Sequence, residues 1–158
     1  MKVNLICVGK TEFDFVAKGV DLYAKRMAKY LRFEVIYIKD IKKTKAFPFK
    51  EIKDKEGELI LNKIRAEDFN VLLDENGKQY SSNNFASFIQ SAMNVGYKNL
   101  NFVIGGAYGF SDKVYAFTKN NTFSLSKMTF SHQIIRLIFM EQIYRAMTIL
   151  NNEPYHHQ

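Results

Sequence analysis

The sequence predicts an α/β domain built on a five- to six-stranded, mostly parallel sheet with helices on both faces. Three observations lead there. Short runs rich in β-branched residues recur five times along the 158 residues. Each is followed by a longer segment whose apolar residues fall three and four apart, the period of a helix packed on one face. Strand then helix, repeated without hairpin signals, is the pattern of parallel βα units, and a chain that is 47% hydrophobic can bury a core.

Val3–Val8 reads as a short buried strand ending at Gly9. Glu12–Tyr30 reads as a helix, with Phe13, Val16, Val20, Tyr23, Ala24 and Met27 on one side. Phe33–Ile38 alternates and is the second strand. Residues 39–47 form a basic loop, and Pro48 opens a helix to about Arg65, because a proline in the first turn loses no hydrogen bond that the helix needs. Asn70–Asp74 is a third strand, closed by a turn over Glu75-Asn76-Gly77-Lys78. Ser81 or Ser82 caps a helix that ends at Gly96. Leu100–Gly105 is the fourth strand, and Ser111 caps a short helix to Thr118. Thr122–Ser126 is the fifth strand, and Ser131 caps a last helix to Leu150. The whole chain, 1–158, is expected to be one domain.

The last helix is apolar around nearly its whole circumference, from Ile134 and Ile138 through Ile143 and Met147 to Leu150. Such a helix needs cover on every side. A domain of this size has little interior for that, so a dimer interface is expected, with a central core helix as the alternative.

The formal net charge is +7, and the whole excess lies in residues 1–65. Lys39, Lys42, Lys43, Lys45 and Lys50 cluster there against Asp40 alone. A one-sided cluster can bind polyanion phosphates by releasing counterions, and its plain alternative is a solvated loop. No apolar run approaches the ~20 residues that span a bilayer. The N-terminal apolar stretch is too short for a signal peptide, and the single cysteine, Cys7, has no partner for a disulfide. A cytoplasmic protein is expected.

In open parallel sheets, ligands bind beyond the C-terminal ends of the strands. This directs attention to the loops 74–80, 105–111 and 126–132. Gly105-Gly106-Ala107-Tyr108-Gly109 lets the backbone approach a ligand closely, yet matches neither phosphate-binding glycine fingerprint, so a nucleoside-like ligand is favoured. Leu125-Ser126-Lys127-Met128-Thr129-Phe130 joins the fifth strand to the last helix, and its hydroxyls and apolar side chains could wrap an adenine. On that helix His132 and Arg136 share a face, and so do Glu141 and Arg145, which can form an ion pair. His156 and His157 lack the further ligands a metal would need, so no metal is expected. No Gly-x-Ser-x-Gly nucleophile elbow occurs.

In order along the chain, Val8-Gly9-Lys10, Asp54-Lys55-Glu56-Gly57, Leu72-Leu73-Asp74, Val103-Ile104-Gly105-Gly106, Leu125 to Phe130, His132-Gln133, Glu141 to Ala146 and Pro154-Tyr155-His156 resemble one family. It is the ribosomal RNA large-subunit methyltransferase H family, a small branch of the SPOUT methyltransferases. The resemblance implies a homodimer whose C-terminal third is threaded into a deep trefoil knot. It implies methyl transfer from S-adenosylmethionine to nitrogen-3 of a pseudouridine in 23S rRNA of the assembled ribosome. Carried over by position, the donor contacts would be Leu73, Gly106, Leu125, Ser126, Lys127, Met128, Thr129 and Phe130. Candidates for handling the proton on nitrogen-3 are His132, Arg145, Tyr155 and His156, and the second subunit is one source for them.

Two positions depart from the family pattern. Ser131 stands where a proline is usual, and His157-Gln158 stands where the chain usually ends in lysine or arginine. A histidine there would make any grip on RNA phosphate weaker or pH-sensitive. Two other readings compete: a SPOUT enzyme directed at tRNA, and a non-catalytic RNA-binding module. The basic cluster yields a direct test. Reversing the charge of Lys42, Lys43 and Lys45 together is expected to raise the dissociation constant for ribosomes and flatten its salt dependence. Unchanged affinity and salt slope would make the cluster a solubilising face only.

Overall fold

The computed structural model describes residues 1–42 and 48–155. Among the described residues five strands and five helices alternate: β1 (Lys2–Val8), α1 (Asp14–Met27), β2 (Arg32–Ile38), α2 (Phe49–Leu61), β3 (Phe69–Gln79), α3 (Ser82–Val95), β4 (Asn99–Ile104), α4 (Asp112–Phe117), β5 (Thr122–Ser124) and α5 (Ile134–Leu150). The strands form one sheet in the order β2-β1-β4-β3-β5, and every pairing is parallel. The expected α/β architecture is the one observed.

Alternation along each strand divides the core in two. Val3, Leu5 and Cys7 of β1 and Phe102 and Ile104 of β4 join the side chains of α1, α3 and α5. Ile6, Val8, Leu72 and Val103 face the other way, toward Ile60 of α2 and Val114 of α4. The helices therefore cover both faces, three on one side and two on the other. Burial pushes the Cys7 thiol up to about 12, so it stays protonated and packs as a small apolar group. At the N-terminal end of the sheet, Asn4, Asn101 and Asn70 lie in register on β1, β4 and β3. Asn4 donates to Asn101 at 2.7 Å, and Asn101 donates to Asn70 at 2.8 Å.

Four local expectations need correction. The turn over residues 75–78 lies inside β3, which runs on to Gln79 beyond a register shift between Leu73 and Lys78. Gly77 reflects a close approach rather than a free turn: a Cβ there would stand 2.6 Å from the backbone nitrogen of Phe123 on β5. The helix α2 stops at Leu61, although Ile64 still packs into the core beside Ile60. Ser111 occupies the N-cap position of α4 without capping it, and its hydroxyl is buried with no hydrogen-bond partner among the described residues. Ser131 does cap, but α5 starts only at Ile134, whose N–H donates to the Ser131 hydroxyl at 3.2 Å.

The all-round apolar character of α5 resolves into two halves. Phe139, Met140, Ile143 and Met147 are buried against α1 and α3. Ile134, Ile138, Glu141, Gln142 and Arg145 form a half-buried stripe on the outer side, at helical spacing.

Candidate active site

The C-terminal ends of β3, β4 and β5 open into a cavity of about 630 Å³. That volume suits a cofactor-sized ligand, for which sites of about 300–1,000 Å³ are usual. Leu73 enters it from β3, Ile104 to Phe110 from the loop after β4, and Leu125, Ser126 and Met128 to His132 from the segment between β5 and α5. Of the donor contacts expected from the resemblance, Leu73, Gly106, Leu125, Ser126, Met128, Thr129 and Phe130 line this cavity. Lys127 is exposed and does not line it. Met128, 74% exposed, lies at the mouth.

Local hydrogen bonds shape the walls. The Ser124 hydroxyl donates to the Ser126 carbonyl at 2.7 Å, and the Met128 N–H donates to the Ser126 hydroxyl at 2.9 Å, which curls the 124–128 backbone around the cavity. The Thr129 hydroxyl donates to the Glu75 carboxylate, joining two of the three loops across the rim. Asp74 accepts from the Tyr115 hydroxyl and from the Asn76 N–H, the latter at 2.8 Å.

Gly106 explains the glycine pair. A Cβ at this position would collide with the Glu56 carboxylate, which packs from α2 against the back of the loop. Glu56 is 4% exposed, and its Oε2 has no hydrogen-bond partner among the described residues. Its Oε1 accepts from the Ile41 N–H at 3.2 Å. Burial, reinforced by the charge of Asp40, raises the pKa of this carboxyl above its ordinary 4.5, against the lowering effect of the Ile41 hydrogen bond. Glu56 thus links α2, the first residues of the basic segment and the floor of the cavity. Sequence reading marked it only as part of a motif.

His132 lines the cavity and is half-buried. Desolvation and the neighbouring Arg136 cation lower its pKa, so the imidazole is neutral at pH 7. Arg136 itself is 1% exposed. Its guanidinium donates to the Val8 carbonyl at 2.7 Å, to the His132 carbonyl at 2.9 Å and to the Thr11 hydroxyl at 3.0 Å. Gln133 makes a second tie: its amide donates to the Lys10 carbonyl and accepts from the Glu12 N–H, both at 3.0 Å. The sequence placed Arg136 on the same face as His132. Only the structure shows it as the clasp between β1 and the start of α5.

Arg145 and Tyr155 lie elsewhere. Thirteen residues of α-helical rise separate Arg145 from His132, about 20 Å. Arg145 pairs with Glu141, its Nε standing 3.0 Å from Oε1, as the i, i+4 spacing suggested. Its guanidinium also stacks over Tyr155, 4.9 Å from the ring centroid. The Tyr155 hydroxyl donates to Glu141 at 3.3 Å and lies 3.4 Å from that of Tyr23. Nearby, Glu153 accepts from Lys29 at 2.9 Å and from Tyr30 at 2.7 Å. The C-terminal segment up to Tyr155 is therefore fastened over α1 and α5. Lys42 is exposed, whereas Lys43, Lys45, His156 and His157 lie outside the described residues. Among the described residues no group of three His, Cys, Asp or Glu side chains could hold a metal ion, and no helix is long and apolar enough to cross a membrane.

A parallel sheet whose strand ends cradle a nucleoside-sized cavity through a glycine loop and a curled loop before the last helix is the architecture of a SPOUT methyltransferase. The chain belongs to that family: the family described as "predicted SPOUT methyltransferase" matches residues 1–156. Its relatives include proteins named ribosomal RNA large subunit methyltransferase H. The one from Christiangramia forsetii is 53% identical over 158 residues, the one from Flavobacterium psychrophilum 52% and the one from Parabacteroides distasonis 51%, each covering 100% of both chains. Among solved structures, the tRNA (m1G37) methyltransferase from Aquifex aeolicus superposes with a TM-score of 0.53 at 14% identity, over 100% of this chain and 76% of that one. That likeness concerns the fold alone.

Two substitutions test this geometry. Arg136→Met strips donors from two buried carbonyls and is expected to cost about 3 kcal/mol in chemical denaturation. A loss under about 0.5 kcal/mol would mean the clasp is dispensable. Glu56 holds its proton more tightly folded than unfolded, so its stabilising contribution is present at low pH and is lost as pH rises above 4.5 through the folded-state pKa. Glu56→Gln removes that loss. The stability of the variant relative to the native chain is expected to improve from roughly pH 4 to pH 8, and a pH-independent difference would refute the assignment.

Proposed function

We propose that this protein transfers the methyl group of S-adenosylmethionine to nitrogen-3 of a pseudouridine in 23S rRNA of the assembled ribosome, acting as a homodimer in the cytoplasm. The observation that carries this reading is the cavity at the ends of β3, β4 and β5, lined by seven of the eight donor contacts that the resemblance implies. Full-length relatives about half identical to this chain bear the name of a large-subunit rRNA methyltransferase.

The residues present fit the methyl donor. The backbone of Gly105 and Gly106 borders the cavity with no side chain of its own in the way of a flat ring, and Leu73 and Leu125 offer apolar faces. When bound, S-adenosylmethionine supplies an electrophilic methyl group on its sulfonium. The protein's part is to align the nucleophilic nitrogen and to accept the proton it sheds. His132, neutral and on the cavity wall, can take that proton. No strong base is required if a nearby cation stabilises the ring anion that remains.

Arg145, in the C-terminal half of α5, and Tyr155, beyond its end, sit too far from the cavity to help within one subunit. The half-buried outer stripe of α5 supports a route. If two α5 helices pack antiparallel about a two-fold axis, the C-terminal end of one meets the N-terminal end of the other. The partner subunit's Arg145 and the partner subunit's Tyr155 would then approach the cavity. The path after β5 also suits the threaded C-terminal knot implied by the resemblance. From the far edge of the sheet, the chain returns past the 74–80 and 105–111 loops to pack α5 on α1.

The decisive experiment follows labelled methyl from S-adenosylmethionine into assembled ribosomes lacking the modification, with free subunits and tRNA alongside. Label on a 23S pseudouridine is expected, with a rate that falls at acid pH through a pKa below 6.5 and drops by about 10²-fold or more in His132→Gln. Label on tRNA would redirect the enzyme, and no label from a folded dimer would favour an RNA-binding module.

A further inference from the structure

Lys53 reaches the cavity from α2, a position no motif of the sequence marked. It lies three residues before Glu56 and four before Gly57, on the helix face that meets the 105–111 loop. The charged groups lining the cavity are Lys53, Asp74 and Glu75, with His132 kept neutral. Both carboxylates are engaged: Asp74 accepts from Tyr115 and Asn76, and Glu75 accepts from Thr129. Lys53 is half-buried and makes no hydrogen bond or ion pair with any described residue. It is a cation turned into a cofactor-sized cavity whose acids are already satisfied, so the complementary ligand group is an anion.

Resting on the methyl-donor reading above, we infer that Lys53 binds the α-carboxylate of S-adenosylmethionine and so fixes the amino-acid end of the donor. This carboxylate is the donor's one anionic group. The glycine loop and the 125–130 loop offer backbone and apolar surface to the adenosine end but no cation, since Lys127 does not line the cavity. Lys53 stands at the 105–109 side, held in place by the packing of Glu56 against Gly106. An ammonium suits this task, because three rotatable donors on a flexible stem can follow a carboxylate through the methyl-transfer cycle.

Calorimetric titration of the native dimer and of Lys53→Met tests the assignment. One ligand is S-adenosylhomocysteine. The other is its decarboxylated analogue, which keeps the ammonium and lacks only the carboxylate. Lys53→Met is expected to weaken S-adenosylhomocysteine about tenfold or more and to leave the analogue unchanged, with Lys53→Arg restoring most of the difference. Unchanged analogue affinity also shows that the variant is folded. Equal weakening of both ligands would overturn the inference. So would undiminished binding of S-adenosylhomocysteine, which would hand Lys53 to an RNA phosphate instead. If the native chain bound neither ligand, the donor reading itself would fall, an outcome distinct from the other two.

Discussion

The buried guanidinium of Arg136 holds the start of α5 against the end of β1, and the site depends on that tie. Three donors satisfy the carbonyls of Val8 and His132 and the hydroxyl of Thr11 in a place closed to water. Gln133 reinforces it by gripping the 10–12 backbone. Once α5 is anchored beside β1 while β5 lies at the opposite side of the sheet, the intervening 125–132 segment must cross the strand ends. That crossing makes one wall of the cavity. Burial first, and then the charge of Arg136, lowers the pKa of its neighbour His132, so the group that shapes the site also biases the protonation of a residue inside it.

The cavity floor rests on a second buried group. Glu56 occupies the space that a side chain at position 106 would need, which ties the α2 face to the 105–109 loop. Through Ile41 it also touches the chain just ahead of the basic cluster. The basic segment and the 105–109 loop therefore share one contact. A desolvated carboxyl is costly when ionised, and the burial is tolerated where the fold needs the close approach it permits.

At the opposite end of α5, aromatic rings, the Glu141–Arg145 pair and the Lys29–Glu153 pair bind the C-terminal segment. These ion pairs are partly exposed and contribute little stability each. Their effect is placement, because they fix the segment up to Tyr155 about 20 Å from the cavity.

The order of strands and helices was legible from hydrophobic period and turn residues, which are local properties. So was the location of the site, because parallel βα units put their loops at one end of the sheet. The Gly105-Gly106 turn, the 125–130 loop and the Glu141–Arg145 pair were readable for the same reason. What local pattern could not supply was contact between distant residues. Gly77 reads as a turn but answers to β5, and Ser111 reads as a cap but packs against Gly57. Arg136 reads only as a charge sharing a helix face with His132, Glu56 as a motif letter and Lys53 as one lysine among many. Burial and partner choice for these residues follow from the sheet order β2-β1-β4-β3-β5, which joins positions more than a hundred residues apart. The sequence by itself determined the class of fold, the end of the sheet that carries the cavity and the family. Tertiary structure decided which side chains meet there, because a side chain's environment is set by the elements packed around it rather than by its neighbours along the chain.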